Sequence, residues 1–345
     1  MSRVLVVTSG ALFVRGGHLV IAEETCAALR RAGHQAEVLV TPQNRFGRQL
    51  SAYVATWLTD VGLTADGKPI DQVITFRFPS YAVRHPRHVC WLNHRMREYY
   101  DLWERFVRGL GRKGRLKESL RRAFYHRLDR RLLTRNVTRL LAQSRTIQAR
   151  LERFGRIPSR VVYPPPPERA YRTDGYGDHV FAVSRLTPLK RLDLLIEAAA
   201  RMRRPCAVKI AGEGEDLGRL RELARARGVE SRVEFLGPID DAALVDRYAR
   251  CRAVFFAPQS EDYGFVTLEA FRSGKAVVTA TDSGGPAEQV ETGVSGFVEA
   301  PDPAALAARL DELSADPALA ERLGQAARAY AARHTWERVL PELLL

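Results

Sequence analysis

Residues 253–280 read AVFFAPQSEDYGFVTLEAFRSGKAVVTA. The run AVFFAPQ is apolar and predicts a buried parallel strand, and KAVVTA predicts the next one. Between them, FVTLEAFR predicts a helix that ends near Gly274 and takes Ser260 or Asp262 as its N-cap. Strand, loop, helix and strand in this order form the repeating unit of a doubly wound α/β domain.

The same alternation extends through the rest of the chain. Residues 3–10 and 35–40 predict strands around an amphipathic helix over 19–31, and LDLLIEAA lies in a helix predicted over 190–202. The four prolines of residues 164–167 can continue neither a helix nor a central strand. We interpret them as the start of an interdomain connection; the alternative is a stiff surface loop inside one domain.

The bulk composition limits the class of protein. The chain has 345 residues, of which 46% are hydrophobic and 27% charged, with a net charge of +14. This length is enough for two domains, and the charge favours anionic partners such as phosphorylated molecules, nucleic acid or a membrane surface. The four cysteines are scattered singly, which indicates a reduced, cytosolic setting rather than a metal or redox site. No apolar run approaches a membrane span, so a membrane role would be peripheral.

Two glutamates bracket a glycine at the predicted helix start. On one straight helix, Glu261 and Glu269 would lie roughly 12 Å apart along the axis and about 80° apart around it, so they would not meet. We therefore place Glu261 in the loop and Glu269 on the second turn, with the N–H groups of Gly264, Phe265 and Val266 between them as a phosphate site. Carboxylates accept hydrogen bonds from vicinal hydroxyls. A sugar at each end of a diphosphate, as in a nucleotide sugar, has this layout.

The positive charge that a diphosphate needs comes from another segment. VSRLTPLKR supplies Arg185 and Lys190 just after a strand end, where they can reach a crevice at the edge of the sheet. The alternative for these cations, and for the two glutamates, is an ordinary solvated surface.

The segment SEDYGFVTLEAF resembles the E-x7-E motif of family-4 retaining glycosyltransferases, the group 1 glycosyltransferases. The resemblance continues through AVSRLTPLKRLDLLIEAA, KIAGEGED and KAVVTATDSGGPAEQV. It covers nearly the whole chain and is strongest over residues 180–300. It implies an α/β glycosyltransferase B architecture, with two Rossmann-like doubly wound domains facing each other across a cleft. The expected domains are residues 1–165 on the acceptor side and 166–330 for the nucleotide sugar, with a helix in 331–345 packing back on the first.

The resemblance also implies roles for the donor-site residues. Arg185 and Lys190 would bind the diphosphate, Glu269 the ribose diol and Glu261 the hydroxyls of the transferred sugar. The N–H groups that follow Gly264 would hold sugar and phosphate. Such enzymes need no bound metal or other cofactor, because cations and helix dipoles take the charge of the leaving group, and the chain has no D-x-D motif.

The first domain would contribute three further residues. Gly16 and Gly17, which precede a helix, would face the distal phosphate; a tight turn alone would also need them. His94, in WLNHRMREYYDLW, matches the shorter form of a family histidine motif and is expected near the donor sugar, whereas the longer form places Asn93 there.

The resulting functional prediction is a retaining hexosyltransferase of polysaccharide biosynthesis. It would transfer a hexose from a nucleotide sugar to a glycan or lipid-linked acceptor by a front-face mechanism, in the cytoplasm or at the inner face of the membrane. An epimerase or phosphorylase of the same architecture is the first alternative. A basic nucleic-acid-binding protein is the second, but no recognisable nucleic-acid motif accompanies the charge, so no nucleic-acid partner is expected.

Residues 105–139 are dominated by arginine and lysine, interspersed with Phe, Tyr and Leu and opposed only by Glu118 and Asp129. A solvated helical face is one interpretation. The other is an interfacial surface that docks on anionic lipid and presents a lipid-linked acceptor.

Overall fold

A computed structural model describes residues 1–11, 13, 16–204 and 206–345 of the chain. The chain divides into two compact units. Unit 1 comprises residues 1–165 and 335–345, and unit 2 comprises residues 166–334. In the described ranges, no helix combines the length and the apolar character that crossing a bilayer requires.

Unit 1 is built around a six-stranded parallel sheet in the order β2-β1-β3-β4-β5-β6. Its strands and helices are β1 Arg3–Gly10, α1 Gly17–Arg31, β2 Gln35–Pro42, α2 Gln49–Leu58, β3 Gln72–Arg77, β4 His88–His94, α3 Trp103–Val107, α4 Arg112–Arg135, β5 Arg139–Ala142, α5 Arg145–Arg153 and β6 Arg160–Val161. The strand order reverses between β1 and β3, which pair in parallel. In such sheets this reversal opens a crevice at the carboxyl ends of the two strands.

Unit 2 repeats the plan with the strand order β12-β11-β10-β7-β8-β9, again parallel throughout. Its elements are β7 His179–Val183, α6 Leu192–Arg201, β8 Ala207–Ala211, α7 Leu217–Ala226, β9 Val233–Gly237, α8 Asp241–Arg250, β10 Ala253–Phe255, α9 Phe265–Arg272, β11 Val277–Ala280, α10 Gly285–Gln289, β12 Gly296–Glu299, α11 Pro303–Ala315 and α12 Pro317–Ala331. The order reverses between β7 and β10. The two Rossmann-like doubly wound sheets confirm the predicted fold class.

The last helix of the chain, α13 Trp336–Leu343, belongs to unit 1. The Trp336 ring meets the buried Trp91 ring edge to face, with centroids 6.2 Å apart. Gln72 donates from Nε2 to the Leu343 carbonyl at 2.6 Å and accepts from the Leu345 N–H at 2.8 Å. The end of the chain is thereby tied to β3 and β4 of unit 1.

Two boundaries differ from the sequence prediction. The helix predicted over 190–202 begins at Leu192, because Pro188–Lys190 forms a 3-10 turn and Arg191 adopts a left-handed conformation, with φ of 49°. The expected N-cap of α9 at Ser260 or Asp262 is wrong. Gly264 occupies that position and no side chain caps the helix.

Candidate active site

The unit 2 residues singled out in the sequence follow the two strands that flank the reversal of strand order. Arg185 and Lys190 come after β7, and Glu261 and Gly264 come after β10. Because β7 and β10 are parallel neighbours, their carboxyl ends lie at the same edge of the sheet. This edge is the place where doubly wound domains bind ligands.

Lys190 and Glu261 form an ion pair at this edge. Lys190 Nζ lies 2.7 Å from Glu261 Oε2, and the side chains are 15% and 23% exposed. The ammonium also lies 5.5 Å from the centroid of the Phe256 ring. An ammonium has three donors and a carboxylate has two acceptor oxygens, so this pair leaves hydrogen-bonding capacity on both partners.

Arg185 is placed differently. It is exposed, and its guanidinium makes no ion pair with any residue that the structure describes. The Thr187 N–H donates to the Arg185 carbonyl at 2.9 Å, which fixes the backbone of the turn between Arg185 and Lys190. The structure therefore supplies one cation held by a carboxylate and one exposed cation on the same loop.

The loop that carries Glu261 runs alongside the loop that follows β11. The Ser260 N–H donates to the Asp282 carbonyl at 2.9 Å, and the Glu261 N–H donates to the Ser283 carbonyl at 2.8 Å. Gly284 allows this close approach, since a Cβ on it would lie 2.4 Å from the Glu261 carbonyl oxygen, and its φ is +72°. The hydrogen bonds and the close approach of Gly284 therefore fix the backbone of Glu261 against the loop that follows β11.

Arg191 is a functional candidate that the sequence analysis missed. Its guanidinium donates to the Ala257 and Pro258 carbonyls at 2.8 and 2.9 Å and to both carboxylate oxygens of Asp282 at 2.8 and 2.6 Å. It thereby joins the loops that follow β7, β10 and β11. Its position directly after Lys190 was the available signal. Its left-handed backbone, which directs this contact, has no signature in the sequence.

Gly264 begins α9 with φ of +82°, a conformation that residues with a Cβ rarely adopt. A Cβ here would lie 2.8 Å from Pro286 Cγ and 2.9 Å from Phe256 Cε1. The next two residues, Phe265 and Val266, form the first turn, whose N–H groups have no carbonyl partner within the helix. These donors, together with the positive end of the helix dipole, make an anion site.

Glu269 lies on the second turn of α9, as predicted, but it is buried and has its own partners. Arg169 donates from Nη1 to Oε1 at 2.8 Å, and Tyr248 donates from its hydroxyl to Oε2 at 3.0 Å. Burial raises the pKa of the Glu269 carboxyl, and the Arg169 guanidinium and Tyr248 hydroxyl limit that rise. Glu269 is thus held apart from the Lys190–Glu261 pair by a separate set of contacts.

Arg169 and Tyr248 were also missed by the sequence analysis. Arg169 follows the proline run in an irregular segment, and Tyr248 lies on α8 with its ring packed against Phe181. Neither has a spacing that connects it to Glu269 in the sequence.

Three predicted residues belong to unit 1. Gly16 is the N-cap of α1 with an extended backbone, and Gly17 is the first residue of the helix. His94 is the last residue of β4, half-buried, and its carbonyl accepts from the Phe78 N–H at 3.2 Å. These residues lie at the carboxyl ends of β1 and β4, the edge of the sheet at which ligands bind in this fold. Their roles stay predictions.

Comparison with known proteins supports both the fold and the family. Residues 171–330 match the family model described as glycosyl transferases group 1. D-inositol 3-phosphate glycosyltransferase of Geodermatophilus obscurus is 35% identical over 175 residues, which are 47% of this chain and 38% of the relative. The protein of that name from Gordonia bronchialis is 32% identical over 234 residues, 60% of this chain and 51% of the relative. The chain thus spans about half or less of the length of these relatives.

Solved structures with the same fold cover both units. WaaG, a glycosyltransferase involved in lipopolysaccharide biosynthesis, superimposes with a TM-score of 0.72 at 18% identity over 98% of each chain. HepE of Anabaena, solved in complex with UDP and glucose, gives a TM-score of 0.70 at 18% identity over 98% of this chain and 97% of HepE. The chain therefore has the glycosyltransferase B fold, and residues 171–330 of its second unit match the model of the glycosyl transferases group 1 family.

Proposed function

We propose that the chain is a retaining glycosyltransferase that moves a hexose from a nucleotide diphosphate sugar to a glycan or lipid-linked acceptor. The observation that carries the proposal is the arrangement after β7 and β10. An ammonium, a carboxylate with a spare oxygen and an uncapped helix start lie together in the part of the chain that matches the family model.

Each part of a nucleotide sugar has a chemical counterpart in unit 2. Lys190, Arg185 and the first N–H groups of α9 suit the diphosphate. The Oε1 atom of Glu261 suits a hydroxyl of the transferred sugar. Glu269, whose charged form Arg169 favours, suits the ribose diol. HepE has been solved in complex with UDP-glucose, so we place uridine diphosphate sugars first among the candidate donors.

The Lys190–Glu261 pair is well suited to exchange with substrate. Both side chains keep some exposure to solvent, so a ligand can reach the pair. Turning one or two ammonium donors from Glu261 to a phosphate oxygen would replace one anionic partner of Lys190 by another. In return, the phosphate would gain a cation on a rigid turn.

We infer a front-face reaction. The bond between the anomeric carbon and the phosphate oxygen breaks as the acceptor oxygen bonds to the same face of that carbon. The leaving phosphate oxygen takes the proton of the acceptor hydroxyl, so the configuration is retained and no protein base is needed. Lys190, Arg185 and the helix dipole would stabilise the negative charge that develops on the diphosphate, so we propose that turnover needs no metal or other cofactor.

We also propose a cytoplasmic location at the inner face of a membrane. The four cysteines are buried free thiols, which is usual in a reducing compartment.

The test is a thermal-shift panel of UDP, GDP and ADP with their sugars. A ligand at about 100 times its Kd adds about 2.7 kcal/mol to the stability of the folded chain, so the correct nucleotide should raise Tm clearly. Product analysis by NMR should then show retained anomeric configuration, and EDTA should leave turnover unchanged. Conversion of the donor without any acceptor would instead indicate an epimerase. Absence of any nucleotide-dependent shift would refute the donor site.

A further inference from the structure

A surface of unit 1 that the donor site does not use combines large exposed apolar side chains with basic ones. On α4, Leu116, Leu120 and Phe124 are 65%, 66% and 48% exposed. Their spacing of four residues places them on one stripe of the helix. The buried residues of α4, which include Tyr125 and Asp129, fall roughly 180° away around the axis. The apolar stripe is therefore the outermost face of the helix.

The same outer face carries only positive charge. The two acidic residues of α4 both turn inward. Glu118 accepts a hydrogen bond from the Tyr99 hydroxyl at 2.6 Å, and Asp129 accepts from Tyr81 and Tyr100 at 2.7 Å each. The exposed basic residues of this helix are Arg112, Lys113, Arg115, Lys117, Arg127, Arg130, Arg131 and Arg135.

Helix α2 of the same unit also exposes large apolar side chains. Its exposed residues include Leu50 at 50%, Val54 at 46%, Trp57 at 43% and Leu58 at 65%. The opposite side of α2 is buried. We call the outward faces of α2 and α4 the amphipathic surface.

Two contacts fix α2 against α4. The Tyr53 ring of α2 stacks on the Tyr125 ring of α4, with centroids 5.7 Å apart. The Tyr53 hydroxyl also donates to Asp129. These contacts join α2 to α4 through their buried residues, so the two helices pack together in unit 1.

Basic side chains also border the α2 part of the surface. The guanidinium of Arg84 lies over the Trp57 ring, 4.4 Å from its centroid. Arg84 and Arg135 line a recess of about 410 Å³ together with His85 and Asn136. Positive charge therefore accompanies the apolar residues along both helices.

The combination of exposed apolar and basic side chains favours one kind of partner. A solvated helix face or a nucleic-acid surface would account for the arginines, but neither accounts for seven large apolar side chains exposed between them. An anionic bilayer accommodates both, because apolar side chains enter the boundary of the acyl chains while cations meet the headgroups.

We propose that the amphipathic surface docks unit 1 on an anionic lipid bilayer, with α2 and α4 lying in the plane of the interface. Trp57 and Phe124 would sit at the level of the headgroups, where aromatic side chains concentrate. The docking itself is independent of the chemistry proposed for unit 2. Only its consequence, delivery of a lipid-linked acceptor, rests on the proposed function.

The first test is flotation of the full chain with vesicles of phosphatidylcholine, with and without phosphatidylglycerol. We expect binding only to the anionic vesicles and release at high salt. The double variant Arg127→Glu and Arg131→Glu should weaken binding about tenfold or more, since each cation near the surface contributes about 1 kcal/mol. The matched control, Arg322→Glu with Arg333→Glu, makes the same change in net charge on exposed arginines of unit 2 and should bind like the wild type.

The second test separates insertion from charge attraction. Tryptophan emission should shift to the blue on anionic vesicles, and Trp57→Phe should abolish that shift. The variant Leu120→Ser with Phe124→Ser should bind more weakly at every salt concentration. All variants should keep the nucleotide-dependent rise in Tm, so a failure of docking is distinguishable from a failure of the donor site.

Three outcomes would overturn the proposal. One is equal binding by the charge-reversed variant and its control. Another is a blue shift that persists in Trp57→Phe. The third is binding to short RNA duplexes that matches vesicle binding and does not respond to Leu120→Ser with Phe124→Ser, which would identify a nucleic-acid surface.

Discussion

Replacement of Arg169 by glutamine tests how far Arg169 favours the charged form of Glu269 inside unit 2. Arg169 and Glu269 are 16% and 9% exposed at the side chain, and their charged atoms are 2.8 Å apart. The second carboxylate near Arg169 is Asp241, at 3.0 Å, but Asp241 is 74% exposed and contributes little. In Arg169→Gln, Glu269 would keep only the Tyr248 hydroxyl as a strong donor.

The expected loss in the free energy of unfolding follows from the burial of the Arg169–Glu269 pair. Removing one partner of a buried ion pair costs about 3–5 kcal/mol. Here the cost is limited, because Glu269 can take up a proton instead of remaining charged and unpaired. We therefore expect Arg169→Gln to lower the free energy of unfolding by about 3 kcal/mol near neutral pH.

The sign of the pH dependence follows from the pKa of Glu269. Burial already raises this pKa in the folded chain, and loss of Arg169 raises it further. The folded variant then keeps a proton over a pH range in which the folded wild type has released it, so the variant's extra loss of stability is absent below the folded pKa of the wild type. The loss grows as the pH rises from there toward the folded pKa of the variant. The difference between variant and wild type should thus be larger at about pH 7.5 than at about pH 5.

The matched control is Arg172→Gln. Arg172 is 45% exposed and pairs with Asp174 and Asp246, which are 33% and 36% exposed, so its loss should cost less than about 1 kcal/mol. Urea unfolding followed by far-UV circular dichroism is the assay, because all four tryptophans lie in unit 1 and do not report on unit 2. Equal destabilisation by the two variants, or a loss for Arg169→Gln that does not vary with pH, would refute the reasoning.

Two further predictions concern the loops that follow β7 and β10. Lys190→Ala should reduce kcat about 10²–10³-fold, as expected when one donor to a developing negative charge is removed. The control is Lys209→Ala, which removes a lysine 4.0 Å from Glu234 and should leave turnover unchanged. Near-normal turnover of Lys190→Ala would contradict the role assigned to Lys190. Gly264→Ala should destabilise the chain by at least about 1 kcal/mol more than Gly228→Ala in urea unfolding, since both have positive φ but only the Cβ at Gly264 meets neighbours within 3 Å. Equal losses for the two alanine variants would show that packing at Gly264 is unimportant.

The sequence was sufficient to predict the fold because buried parallel strands are short, continuous apolar runs. AVFFAPQ and KAVVTA became β10 and β11, and the helix between them was predicted to within a residue or two. The starts of α6 and α9 were less predictable. Both begin after a residue with positive φ, Arg191 in one case and Gly264 in the other, and an arginine in that conformation departs from its usual preference.

The candidate site was predictable only where its residues are close in the sequence. Glu261, Gly264 and Glu269 lie on one loop and helix, so helical geometry alone separated the two carboxylates. Arg169 reaches Glu269 across 100 residues, through tertiary packing that no local pattern records. The partner of Lys190 likewise lies 71 residues away. Contacts of this range depend on strand order, which the sequence did not provide.

Two buried carboxylates in this chain show how partners decide the state of an acid. Asp129 in unit 1 is surrounded by the hydroxyls of Tyr53, Tyr81 and Tyr100, and burial raises its pKa. Hydroxyls can donate to a carboxylate or accept from a carboxyl group, so this cluster holds α4 in place whether or not Asp129 carries a proton. Glu269 instead has a guanidinium, which can only donate and therefore favours the charged form. A carboxylate that accepts from two ribose hydroxyls, the role proposed for Glu269, would need that charge, so the cation beside Glu269 is consistent with the proposal, whereas the tyrosines beside Asp129 are consistent with a structural role.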